Sequence, residues 1–211
     1  HDPTRTLSRE LRSSTTLVSK PLVYTAANGI RFSPSGAIMA QRGSGPDGRK
    51  LLMWETATGR LLSEFEDGVG TGGGLVAART AFDPVEKRFA IGGNDGQLKV
   101  FDVATGKQAG TTLNQGLQIN AIAFSPDGTW IASYGLAKKL YLTGTATGRE
   151  IQPAVELASY GNAVRVSEDG RYVAVNLGAP TRILIWDMKE RTRRIVTYDG
   201  DAALGLITDV P

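Results

Sequence analysis

The chain has 211 residues, of which 41% are apolar, and its 26 glycines are spread along its length, which indicates many turns and favours an all-β fold. It contains no cysteine, so disulfides, thiolate metal sites and cysteine nucleophiles are excluded. Its one histidine is His1, so catalysis by an imidazole side chain would require the N-terminal end to fold into a site. The formal net charge of +3 is modest and the basic residues are scattered, so no nucleic-acid partner is expected.

Residues 1–19 are the first predicted segment, an N-terminal lead-in that is either a short helix through Leu7 and Leu11 or a disordered stretch. No segment of the chain has the run of ~18 apolar residues that a bilayer-spanning helix requires, so no membrane partner is expected. The chain begins with histidine rather than methionine, and we expect it to be a processed product or a piece of a longer protein.

Four similar units follow, and each begins with a strand that ends in a short turn motif. The motifs are FSPSG at Phe32, FDPVE at Phe82, FSPDG at Phe124 and VSEDG at Val166. Two apolar runs come after each motif, and in three units the second run leads into TATGR or VATGK. Because apolar residues alternate in these runs, they are predicted to be strands, and four antiparallel strands per unit make one propeller blade.

The pairs Trp54-Glu55, Phe101-Asp102 and Trp186-Asp187, together with the FSPDG turns, resemble the WD-repeat β-propeller family of the bacterial type, with degenerate repeats. The resemblance implies an all-β propeller segment over residues 20–211, with four-stranded antiparallel blades at about 28–66, 76–115, 119–158 and 161–199. Two features depart from the family pattern: no Gly-His dipeptide is present, and Thr143-Gly144 replaces the WD pair of the third unit. We therefore expect the blades to depend on apolar stacking.

Partial blades are predicted at both ends of the segment. Residues 20–27 align with the outer strand of the third unit, and residues 203–211 have the pattern of the inner strand of a following blade. An open arc of blades would expose two apolar faces. We therefore expect a portion of a larger ring, completed by the remainder of the propeller, a second copy or another chain.

Two insertions locate the predicted partner-binding residues. The first unit is lengthened within residues 40–50, and the connection to the second unit is lengthened within residues 66–75. Both insertions are expected on the same face of the propeller, where loops on a rigid scaffold commonly carry function. The predicted patch consists of Arg42, Asp47, Arg49, Gly72, Gly73 and Arg79. The alternative is that these are tolerated insertions in exposed loops.

Asparagine recurs four residues before the Phe or Val of three units, at Asn28, Asn120 and Asn162. These residues are predicted either to form a polar ring at the mouth of the central channel or to be turn residues. The repeated TATGR phrase is interpreted as a turn, because Gly59, Gly106 and Gly148 tolerate backbone angles that other residues resist. The acidic clusters lack a partner at a meaningful spacing, so no metal site, cofactor or catalytic residue is expected.

The resemblance to the WD-repeat family implies a non-catalytic protein–protein interaction scaffold or sensing module, which we expect in the cytoplasm. Two alternatives remain open at this point. One is a propeller-fold enzyme that uses acidic residues at the channel mouth, although the chain has no histidine in the repeats to assist them. The other is a structural subunit completed by another chain.

Overall fold

A computed structural model describes residues 30–45, 48–66, 79–110, 112–161, 163–178, 182–197 and 205–209. These residues form four antiparallel sheets and no α-helix. The all-β fold class and the four-stranded blades predicted from the repeat are therefore confirmed. The predicted lead-in, residues 1–19, and the predicted strand at residues 20–27 lie outside the described residues.

Each sheet is a meander in which consecutive strands pair, and we number the sheets blade 1 to blade 4 in chain order. Blade 1 contains β1 (Ile30–Phe32), β2 (Ile38–Gly45), β3 (Gly48–Glu55) and β4 (Arg60–Glu66). Blade 2 contains β5 (Thr80–Phe82), β6 (Arg88–Gly92), β7 (Gln97–Asp102) and β8 (Leu113–Asn114). Blade 3 contains β9 (Ile119–Phe124), β10 (Trp130–Gly135), β11 (Lys139–Gly144) and β12 (Val155–Glu156). Blade 4 contains β13 (Ala163–Val166), β14 (Tyr172–Asn176), β15 (Arg182–Asp187), β16 (Thr192–Thr197) and β17 (Gly205–Asp209).

The turn between the first two strands of a blade is held by a serine or aspartate side chain. In blade 3, Ser125 Oγ accepts a hydrogen bond from Trp130 N at 3.0 Å, and Gly128 closes the turn with a φ of 69°. In blade 2 the glycine position is occupied by Glu86, which has a φ of 58°. The Glu86 carboxylate accepts hydrogen bonds from Ser35 N at 2.5 Å and from Ser35 Oγ at 2.8 Å, so a residue in a backbone conformation unfavourable for side chains links blade 2 to blade 1.

The TATGR phrase is a turn, as predicted. Gly59 N donates to Glu55 O at 2.9 Å with a φ of 68°, and Gly148 N donates to Gly144 O at the same distance with a φ of 64°. The Thr105 hydroxyl of the blade 2 turn donates to Asp102 Oδ1 at 2.8 Å. The Thr58 hydroxyl of blade 1 donates in the same way to the Glu55 carboxylate, so in these two blades the acid at the end of the third strand accepts from the turn that follows it.

Apolar side chains of neighbouring blades interdigitate to form the core. Phe82 and Phe89 of blade 2 pack edge to face, with ring centroids 4.7 Å apart, against Met53 of blade 1. The largest cluster joins blades 3 and 4 and includes Tyr134, Leu142 and Val175. A buried polar pair lies between blades 2 and 3, where Gln115 Nε2 donates a hydrogen bond to the fully buried Ser133 Oγ. Stacking of apolar faces between blades, expected from the missing Gly-His dipeptide, is the principal packing in the described part of the chain.

The structure differs from the sequence-based expectation in the first insertion. We expected an exposed loop at residues 40–50, but β2 and β3 pair as far as Gly45 and Gly48, so both strands are eight residues long. The insertion therefore lengthens a hairpin. Two antiparallel strands can lengthen by adding further residue pairs to the ladder. Each added pair gives its backbone N–H and C=O groups hydrogen-bond partners, whereas in an irregular loop these groups would bond only to water.

The final strand also differs from the expectation. Residues 203–211 were predicted to be the inner strand of a following blade, whereas β17 pairs antiparallel with β16 and is the fifth strand of blade 4. The physical reason is that the outer strand of a blade presents unpaired backbone N–H and C=O groups, to which an adjacent extended segment can add.

The two terminal faces of the blade series are more exposed than the faces between blades. Phe32, Phe82 and Phe124 occupy the same repeat position, yet Phe32 is 53% exposed while Phe82 and Phe124 are 7% and 9% exposed. Ile183 of blade 4 is 38% exposed, whereas its counterpart Leu140 in blade 3 is fully buried. Blade 1 and blade 4 thus each present a face that the internal blades bury against a neighbour.

Candidate partner-binding surfaces

Arg79 lies directly before β5 and is the centre of a polar cluster at the start of the inner strands. Its Nη1 donates to Asn94 Oδ1 of the β6–β7 loop, and its Nη2 reaches Asn120 Oδ1 of β9 at 3.5 Å. Gln118 Nε2 donates to the same oxygen at 2.8 Å, and Asn120 Nδ2 donates to Gly161 O at 3.4 Å. These residues, which we call the Arg79 cluster, connect blades 2, 3 and 4 at one face of the blade series.

The cluster holds a partly buried positive charge with amide partners. Burial lowers the pKa of Arg79 from its ordinary value, although a guanidinium remains protonated at neutral pH. Its Nε–H is buried without a hydrogen-bond partner among the described residues. The partners of its Nη atoms given above are amide oxygens, which carry no charge to neutralise the guanidinium. Such a group favours an anion at its exposed side.

Two further residues of the predicted patch, Arg42 and Arg49, are on the lengthened β2–β3 hairpin. Arg42 pairs with Leu51, and Arg49 pairs with Ser44, in the β2–β3 ladder. Arg42 and Arg49 are therefore strand residues rather than loop residues, and their membership of a binding patch stays a prediction.

Of the other site residues predicted from the sequence, the structure describes only Asn120. Asp47, Gly72 and Gly73 of the patch, and Asn28 and Asn162 of the predicted channel ring, lie outside the described residues. Asn120 is in strand β9 rather than in a turn, which contradicts the turn interpretation for this residue. The structure brings Asn120 to Arg79, so one member of the predicted ring and one member of the predicted patch belong to a single cluster.

A second feature, which the sequence reasoning missed, is a pocket of about 480 Å³ lined by residues from the ends of all four inner strands and from the turns that follow them. Arg31 and Arg165 line it from blades 1 and 4, and they occupy the repeat position at which blades 2 and 3 have Ala81 and Ala123. The sequence signal was available, because each residue directly precedes the Phe or Val of its unit. Blades 1 and 4 thus contribute charged arginine side chains to the pocket, whereas blades 2 and 3 contribute small alanine side chains at the equivalent positions.

Among the described residues, no group of three or more His, Asp or Glu side chains is suited to a metal ion. The same residues include no helix long and apolar enough to cross a membrane.

Comparisons with known proteins agree with the blade geometry. Residues 108–142 match the family described as WD domain, G-beta repeat. This match begins near the outer strand of blade 2 and ends in the third strand of blade 3, so the family repeat is offset from the blade by one strand. The chain is 30% identical over 106 residues to the WD repeat-containing protein VIP3 of Arabidopsis thaliana.

The similarity to VIP3 covers 46% of this chain and 32% of the relative, so the chain spans about a third of the length of the curated relative it matches. The bacterial type expected from the sequence is not tested by these matches. The repeated turns, the four-stranded antiparallel blades and both similarities show that the chain resembles the WD-repeat proteins.

Proposed function

We propose that the chain is a non-catalytic scaffold that binds a protein partner through the face carrying the Arg79 cluster. WD-repeat domains generally bind protein partners, which supports the coarse assignment. The observation that carries the proposal is the hydrogen-bonded position of Arg79, a partly buried cation whose Nη atoms are held by amide oxygens from two different blades.

The cluster is suited to recognition because its geometry is fixed before a partner arrives. Asn94 and Asn120 hold the guanidinium, and Gln118 and the Gly161 carbonyl hold Asn120 in turn. A preorganised guanidinium loses less conformational entropy on binding than a mobile one. An acidic side chain of a partner would receive charge-assisted hydrogen bonds from the exposed N–H groups of Arg79. Arg42 and Arg49 of the β2–β3 hairpin are proposed as further members of this binding patch.

The test is quantitative capture of interacting proteins by the tagged 211-residue chain and by two arginine variants. Arg79→Ala is expected to weaken capture of a specific partner about 10- to 100-fold, because loss of a hydrogen bond to a charged group costs about 1.5–3 kcal/mol. Arg149→Ala is the matched control, since Arg149 is exposed in the turn after β11, outside the Arg79 cluster. Arg79→Lys should recover only part of the binding, because lysine lacks the planar fork.

The thermal unfolding midpoint of each variant is measured beside the capture. Equal capture by the wild type, Arg79→Ala and Arg149→Ala would contradict the proposal, provided that Arg79→Ala retains its folded signal. Equal loss in both alanine variants would also contradict it, because the binding would then depend on general positive charge.

A structural role is a second candidate function, and the exposed Phe32 and Ile183 favour it. We infer that these two faces are covered in the working protein by further propeller blades, supplied by the remainder of a propeller or by a second copy. Sedimentation of the purified chain tests the second copy: a monomer across the micromolar range would exclude it. The cytoplasmic location stays a prediction that cell fractionation checks.

A further inference from the structure

The pocket at the ends of the inner strands has the composition of a ligand site and is separate from the Arg79 cluster. Its volume of about 480 Å³ falls within the range of roughly 300–1,000 Å³ that small ligands occupy. Arg79 and Asn120 are at the beginnings of β5 and β9, whereas Ala81, Phe82 and Phe124 line the pocket from the ends of the same strands. The two features therefore face opposite ends of the inner strands.

The pocket has an excess of positive charge. Arg31 is half-buried, and its pKa is lowered by burial and by the positive charge of Arg165. Arg165 is exposed, and its Nη1 donates to its neighbour Val164 O at 2.8 Å. Two guanidinium groups that repel each other on a shared pocket gain most from an anion between them, because one negative charge then neutralises the repulsion and accepts hydrogen bonds from both.

The remaining lining restricts the kind of anion. Glu168 is the one carboxylate among the residues that line the pocket, and its negative charge opposes a doubly charged phosphate more strongly than a singly charged carboxylate. Pro34, Pro84 and Pro126 are exposed and provide apolar walls. Such walls suit an anion attached to an apolar neighbour, which is the composition of a peptide segment rather than of a free inorganic ion.

We propose that this pocket binds the side-chain carboxylate of an acidic peptide segment of a partner protein, held between Arg31 and Arg165, with the adjoining apolar residue of the peptide against the exposed Pro84 and Pro126. The site is independent of the function proposed for the Arg79 cluster.

The experiment measures fluorescence anisotropy of a labelled peptide titrated with the full 211-residue chain. The probe is an acetylated, amidated hexapeptide with a central glutamate flanked by leucines. Otherwise identical peptides replace the glutamate with glutamine, phosphoserine or lysine. The protein variants are Arg31→Gln and Arg165→Gln, and the matched control is Arg194→Gln on the outer strand β16, which does not line the pocket.

The glutamate peptide is expected to bind the wild type and the Arg194→Gln variant equally, and to bind each pocket variant about tenfold more weakly, as expected for loss of one charge-assisted hydrogen bond. The glutamine peptide should bind the wild type about tenfold more weakly than the glutamate peptide. Because Arg165 is exposed, its replacement should leave the fold intact, and circular dichroism verifies this for every variant.

Four results would overturn the proposal. The first is no saturable binding of the glutamate peptide at millimolar protein, and the second is equal affinity for the glutamate and glutamine peptides. The third is tighter binding of the phosphoserine peptide, which would assign the pocket to phosphate. Loss of binding in the Arg194→Gln control to the same extent as in the pocket variants would also count against it, because the attraction would then be general.

Discussion

Gly161 lies at the passage from blade 3 to blade 4, and its substitution by alanine is the sharpest test of how closely the blades approach. A Cβ atom at this position would be 2.0 Å from Asn176 O and 2.8 Å from Tyr134 Cε1. Asn176 is paired with Ala163 in the β13–β14 ladder, and Tyr134 is fully buried between the blades. Neither neighbour can retreat by a change of side-chain rotamer, so the backbone itself must move by roughly 1.5 Å to reach an ordinary contact distance.

Overpacking of this kind costs about 1–3 kcal/mol and occasionally more, and we expect Gly161→Ala to be at the upper end, about 3 kcal/mol. In a protein of this size each kcal/mol lowers the unfolding midpoint by about 2–4 °C, so the expected loss is about 6–12 °C. Gly59→Ala is the matched control: its φ is 68°, but its added Cβ would meet no atom within 4 Å, so only a backbone penalty of about 1 kcal/mol applies.

Thermal unfolding followed by circular dichroism, with urea unfolding as a second measurement, compares the two variants with the wild type. The reasoning is refuted if Gly161→Ala unfolds no earlier than Gly59→Ala, because the interblade contact would then be loose enough to accept a methyl group. The backbone movement caused by the added methyl group should also displace the Gly161 carbonyl, which accepts a hydrogen bond from Asn120.

Three further predictions concern packing and charge. Ser133→Ala leaves a buried amide without its acceptor and should cost about 1–3 kcal/mol of unfolding free energy in urea titrations. Phe124→Ala should cost about 3–5 kcal/mol, whereas the exposed Phe32→Ala should cost less than about 1 kcal/mol, and equal losses would show that the blade 1 face is covered in solution. The hydroxyl of Ser125 holds the pKa of Asp127 below its ordinary value, so the stability advantage of the wild type over Asp127→Asn should be complete at pH 7 and disappear as the pH falls below about 4.

The blade architecture could be predicted because it depends on local rules that repeat. A serine followed three residues later by glycine, or a glycine after an acidic residue and a threonine, sets a turn through hydrogen bonds within a few residues of the chain. The recurrence of these turns four times identified the strands between them. The glycine at 148 and the serine at 125 have the same roles as their counterparts in the other units.

The candidate sites depend on contacts between residues that are distant in the chain, and the sequence alone could not predict these contacts. Arg79 and Asn120 were predicted as members of different features, and they meet only because blades 2 and 3 stack. Arg31 and Arg165 come from units at opposite ends of the repeat, and the curvature of the blade series brings them to one pocket.

The sequence by itself determined that this chain forms repeated four-stranded blades, since turn chemistry and alternating apolar residues act over short distances. Only the tertiary structure decided which charged residues share a surface, that the first insertion is a hairpin, and that β17 adds to the edge of blade 4. These outcomes depend on how separate blades pack and which backbone edges remain open, and no local pattern encodes either.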